Sequence, residues 1–157
     1  MKRHLTITTI FLLALSFATH AQVPVAVGVS ILKAEDARRY DAVLESLLKS
    51  PNADIRARAA LAAGRIGDER AIPALYAMFG DRKNTGRVWT MAVFALGEIE
   101  SVKGAEYVSD GIKSESDYAL RDRELLSRAF EAAGKIAAAH AADTAAKTLG
   151  GRHIKGV

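Results

Sequence analysis

Histidine, cysteine and carboxylate side chains build most metal sites and nucleophilic centres, and this chain offers few of the needed combinations. Beyond its first 21 residues it holds two histidines, His140 and His153, and it has no cysteine. His140 stands in IAAAHAAD with Asp143 three residues on. One imidazole with one carboxylate falls short of the ligand set a metal ion needs. No serine sits in a strained turn beside a base, so nucleophilic catalysis finds no candidate either. The expectation is a chain with no catalytic residue, no metal and no cofactor.

The elements that would position any site come from a unit written three times. In DIRARAALAAGRIGDERAIPAL, Asp54 to Leu75, a glycine interrupts an otherwise strong helical pattern. A shift of 33 residues lays IRARAALAAGRIG on VWTMAVFALGEIE, and a shift of 70 lays it on LLSRAFEAAGKIA. One slot then holds Ile55, Val88 and Leu125, a second Ala59, Ala92 and Ala129, a third Ile66, Ile99 and Ile136. Within a copy these stand at i, i+4 and i+11, one face of an α-helix. Gly64, Gly97 and Gly134 share a slot two residues before the isoleucine. A helix-interior glycine costs about 1 kcal/mol against alanine, so its recurrence suggests that the missing side chain is used. Close approach of a neighbouring helix is the simplest use, and a helix end is the alternative.

A second helix follows each first one. In DERAIPALYAMF, Asp68 is a cap and Pro73 belongs to the first turn, which starts the regular helix near Ala71. The same shifts carry Leu75 to Val108 and Ala145, and Phe79 to Ile112 and Leu149. Upstream, DARRYDAVLESLLKSPN sets Leu44 and Leu48 opposite Leu75 and Phe79 at a shift of 31, as an orphan second helix that caps the array. A helical period of this size marks an α-solenoid, whose pairs bury their apolar faces by stacking. The expected fold is all-α: a solenoid of about three helix pairs plus an N-terminal capping helix over residues 33–150. Residues 22–32, with Pro24, Gly28 and β-branched neighbours, read as an extended leader, and 151–157 as a disordered tail.

RARAALAAGRIGDERAIPALYAMF resembles a HEAT-like repeat of the phycobilisome-lyase type, specifically over Asp54 to Asp81, clearly over Val88 to Lys113 and weakly after Asp117. KAEDARRYDAVLESLLKS with ALAAGRIGDERAIPAL and AVFALGEIES is similar to the N-terminal HEAT region of exported cyclophilin-type peptidyl-prolyl isomerases. The cyclophilin motifs FHR and QGGD do not occur, so the resemblance transfers no isomerase residue. It implies a protein-binding scaffold without catalysis, with an isomerase fragment or subunit as the alternative and a phycobilin-lyase-like protein as the second. HEAT-repeat hydroxylases build iron sites from His-Glu pairs, and the dipeptide is absent here.

The slots also test for binding surfaces. Arg58 maps to Met91 and Arg128, and Arg65 to Glu98 and Lys135, so no basic ladder runs along the array and nucleic acid is not an expected partner. Trp89 shares its slot with Arg56 and Leu126, where packing between repeats is the commoner fate of a tryptophan. By the resemblance, second helices line the concave surface, so the protein-binding candidates are Arg70, Tyr76, Glu106, Tyr107 and Asp110. Tyr76 and Tyr107 do not share a slot, and no tyrosine ladder is expected. The alanine-rich final unit adds a surface for self-association, since short solenoids often expose apolar ends.

Lys2, Arg3 and His4 precede the apolar run Leu5 to Ala18 and then THAQ, which reads as a secretory signal peptide over residues 1–21, cleaved after Ala21. The run is short for a membrane span, so a periplasmic or secreted chain without a stable anchor is expected. Removing Lys2 and Arg3 from the 22 basic residues leaves 20 against 18 acidic ones, a net charge of about +2. So even a balance supplies little attraction for a polyanion.

Overall fold

A computed structural model describes residues 23–81, 83–84, 86–114 and 123–153. Its helices are α1 (Val25–Asp36), α2 (Ala42–Leu48), α3 (Ala53–Ile66), α4 (Ile72–Gly80), α5 (Gly86–Ile99), α6 (Val102–Ser114) and α7 (Arg123–His153), with a 3-10 turn over Glu69–Ala71. No strand occurs among the described residues. Two layers result. The first helices α1, α3, α5 and α7 pack in succession, and the second helices α2, α4 and α6 do the same beside them. This is the all-α solenoid that the repeats require.

Local chemistry sets the element ends. The Asn52 side chain accepts from the backbone N–H of Asp54 at 2.8 Å, which caps α3, and Gly67 closes that helix at φ +76°. Asp41 caps α2 through the N–H of Leu44 at 3.0 Å, and Asp68 caps the 3-10 turn through that of Arg70 at 2.9 Å. α4 then begins at Ile72, with Pro73 in its first turn as expected. Glu100 ends α5 at φ 56°, the left-handed conformation that Gly67 supplies one unit earlier.

Burial follows the slots. Ala57, Ala59, Ala60, Ala62 and Ala63 of α3 and Ala92, Val93, Ala95 and Leu96 of α5 are all at most 2% exposed. The glycines explain how the layer closes. A Cβ on Gly64 would stand 2.7 Å from the Cα of Ala95, and one on Gly97 2.6 Å from the Cα of Ala132. Those distances admit no side chain, so Gly64 and Gly97 serve close approach. Gly134 has nothing within 4 Å of its missing Cβ, because α7 is the last first helix described.

Four expectations need correction. The leader is helical from Val25 onward: Pro24 precedes the helix and caps it, its carbonyl accepting from Gly28 N–H at 2.9 Å. Val27, Ile31 and Ala34, at helical spacing, pack into the core. Burial against α3 outweighs β-branched propensity, which disfavours a helix by under ~1 kcal/mol per residue. α2 is therefore no orphan cap, because α1 is its first helix. The unpaired helix lies at the other end, where the third unit is one continuous helix rather than a pair. Ala137 occupies the slot of Gly67 and Glu100, and as the residue with the highest helix propensity, followed by further alanines, it favours continuing the helix over a left-handed turn. The helix continues through an alanine-rich stretch to His153, so residues 151–153 of the expected tail are helical as well. Residues 1–22, including the signal peptide and its cleavage site, and 154–157 lie outside the described residues.

Candidate protein-binding face

The second-helix layer carries the candidate residues. On α4, Leu75, Met78 and Phe79 point into the core, which turns Tyr76 outward. On α6, Val108 is buried and Tyr107 beside it is half-buried against the core. Tyr76 and Tyr107 come from different slots, yet their rings stack at a centroid distance of 4.4 Å and an interplanar angle of 29°. Phe79 backs Tyr76 at 6.4 Å. With Tyr76 still 37% exposed, the pair forms an aromatic platform across the α4/α6 junction. Slot equivalence could not show this, because the rings meet between helices and not along a ladder.

Arg70 behaves differently. Its guanidinium is held by Asp68, with Nε 3.0 Å from each carboxylate oxygen and Nη2 2.5 Å from Oδ2, and Nη2 also donates to the Tyr40 carbonyl at 3.2 Å. The Arg70 side chain, and after it the Arg70 backbone N–H, hold the Asp68 carboxyl below its usual value. Arg70 thus braces the turn before α4. Glu106 is exposed on α6, and the side chain of Asp110 lies outside the described ones. Of the four candidates whose side chains are described, contact joins the two tyrosines.

A signal the slots did not carry is the direction of the ion pairs between units. Glu35 of α1 binds Arg58 and Arg65 of α3, and Asp54 of α3 binds Arg87 of α5. Glu69, just before α4, binds Lys103 of α6 at 2.7 Å and accepts from Ser101 Oγ at 2.7 Å. Glu98 of α5 binds Lys135 of α7. In each pair the acid comes from the earlier unit and the base from the later one. Arg58 and Arg65, candidates for a basic ladder, are thereby turned to one carboxylate.

Trp89 is buried and donates Nε1–H to the Met78 carbonyl at 3.1 Å, the packing role expected of it. Arg56, in the same slot, is 5% exposed and makes an equivalent link one unit earlier. Its Nε donates to Asn84 Oδ1 at 2.7 Å and its Nη1 to the carbonyls of Ser50 and Pro51 at 2.7 and 3.0 Å. His140 is exposed, and Asp143 is engaged by Lys147 at 2.5 Å. Among the described residues no group of histidines and carboxylates could hold a metal ion, and no helix is long and apolar enough to cross a membrane.

Helix pairs stacked in two layers on small-residue contacts define a helical-repeat protein, a class that offers surfaces more often than reactions. The family model for HEAT repeats matches residues 40–129, and the chain belongs to that family. No curated protein and no solved structure matches it.

Proposed function

We propose that this chain is an exported, non-catalytic scaffold that binds another protein through the α4/α6 face, with the Tyr76–Tyr107 pair as its anchor. The supporting observation is the stack itself: two rings already ordered at 4.4 Å, one of them 37% exposed. Tyrosine offers a large amphipathic contact, and a ring fixed before binding loses little entropy on association. Around it stand Glu106 and the Glu69–Lys103 pair, both exposed, as a polar rim of mixed sign. Export rests on the signal-peptide pattern of residues 1–21.

Capture from a periplasmic extract on the chain starting at Gln22 tests the reading, with the Tyr76→Ala/Tyr107→Ala variant as control. The wild type is expected to retain a defined protein that the variant retains at least about tenfold less. Equal retention would overturn the face assignment. Capture of a cyclophilin-type isomerase would make the chain its separate HEAT subunit. Export is checked by the mass of the chain isolated from the producing cell, which should begin at Gln22.

A further inference from the structure

The face of α7 turned away from α5 is a stacking face that no described residue covers. Three slots show this. Ala57, Ala60 and Gly64 of α3 are buried, and so are Thr90, Val93 and Gly97 of α5. Ser127, Phe130 and Gly134 of α7 occupy the same slots and are exposed. The middle slot is the sharpest case, at 0% for Ala60, 1% for Val93 and 76% for Phe130. The surface that each inner unit covers with the next one thus ends on an uncovered phenylalanine.

We propose that a second copy of this chain covers it, the two α7 helices packing antiparallel about a two-fold axis. Length is the first argument. α3 and α5 have 14 residues each, whereas α7 has 31, about 46 Å of helix. Its exposed small residues run on from Gly134 to Ala137 and Ala141, past the slots that the array's short helices use. Among the described helices only α7 is long enough to cover such a stripe.

Size matching along the stripe is the second argument. Placing the two-fold between Lys135 and Ile136 sets Gly134 against the partner's Ala137, Phe130 against the partner's Ala141 and Ser127 against the partner's Thr144. The central pair repeats the glycine-to-alanine approach of Gly64 on Ala95 and Gly97 on Ala132. The largest side chain of the stripe meets a small one. A parallel pair would instead set Phe130 on Phe130 and align the helix dipoles unfavourably. In the antiparallel pair each α7 covers the stacking face of the other. A two-fold contact of this kind closes on itself and stops at a dimer.

Light scattering on the eluting chain from Gln22, at tens of micromolar, should give the mass of a dimer. Phe130→Glu and, separately, Ala137→Glu should give monomers with unchanged helicity, since both positions are exposed. A monomeric wild type would overturn the proposal and leave the face to a different protein, and so would a dimer that survives both substitutions. Direction is read by disulfide trapping, which is clean because the chain has no cysteine. Ser127→Cys mixed with Thr144→Cys should form a heterodisulfide in the dimer. Ready Ser127→Cys homodisulfides in its place would refute the antiparallel arrangement. None of these substitutions touches Tyr76 or Tyr107, so failure here leaves the α4/α6 reading standing.

Discussion

The α3/α5 and α4/α6 junctions join the same two repeats by opposite means. α3 meets α5 backbone to backbone, with Gly64 admitting Ala95 where even a Cβ would stand 2.7 Å from a Cα. α4 meets α6 through long side chains, the Tyr76–Tyr107 stack beside the Glu69 contacts to Ser101 and Lys103. The first junction is fixed by volume and leaves no group free to do anything else. The second is held by groups that also reach solvent. On the proposed reading stability and recognition are separated by layer, and only the outward side chains of the second layer can vary without loosening the stack, because Leu75, Phe79 and Val108 belong to the core.

The sharpest way to break this contrast is to add volume to the close junction. Gly97→Leu forces a side chain onto Ala132, and helices that cannot separate without uncovering the core should lose about 3 kcal/mol or more. Thermal melts should show a fall of roughly 10 °C for a domain of this size, and Gly64→Leu should behave alike. Gly134→Ala is the control, since the space around its missing Cβ is open. Read in the Phe130→Glu background to exclude self-association, it should raise stability by up to about 1 kcal/mol through helix propensity alone. Equal losses at all three glycines would mean that flexibility, and not contact, explains the repeat.

A smaller effect is expected where buried polar groups tie one unit's end to the next unit's start. Arg56 pairs with no carboxylate among the described residues, and carbonyl oxygens and Asn84 share its charge instead. Arg56→Met keeps most of the packed volume but strands those acceptors, at a cost of about 2–3 kcal/mol. Chemical denaturation should show a lower midpoint with an unchanged slope. A variant as stable as wild type would reduce the link to a replaceable contact.

What was legible in the sequence follows the same division. Slot alignment located α3, α5 and the close-approach glycines, because a missing Cβ leaves a periodic trace. It reached α2 through Leu44 and Leu48, but not α1, where Pro24 and Gly28 outvoted Val27, Ile31 and Ala34. It split α7 at Ala137, where an alanine-rich sequence continues the helix instead of turning. The tyrosine candidates were readable by type and exposed helix, but their stacking was not, since it depends on how two helices sit side by side. Phe130 could have been found from the slots, by noting that Ala60 and Val93 are covered by a following unit and Phe130 is not.

The α1/α3 junction supplies a third means and the mildest test. Gly28 admits nothing within 4 Å, so close approach does not hold this end. Apolar burial of Ile31 and Ala34 is joined here by Glu35, with Oε1 3.0 Å from Arg58 Nη1, Oε2 2.6 Å from Arg58 Nη2 and Arg65 Nη1 at 3.4 Å. Burial pushes this carboxyl up, but the two guanidiniums outweigh burial and hold it below 4.5. A depressed folded-state pKa stabilises fully above the unfolded value and is lost as the pH falls through the folded one. Glu35→Gln should therefore melt below wild type near pH 7, and the gap should narrow as the pH falls below the ordinary carboxylate range and through the lowered folded-state value. Asp68 and Glu69, also held low by basic partners, titrate in both proteins and cancel in the difference. A gap that stays constant as the pH falls would mean that Glu35 contributes shape rather than charge, and that apolar packing alone holds α1 to α3.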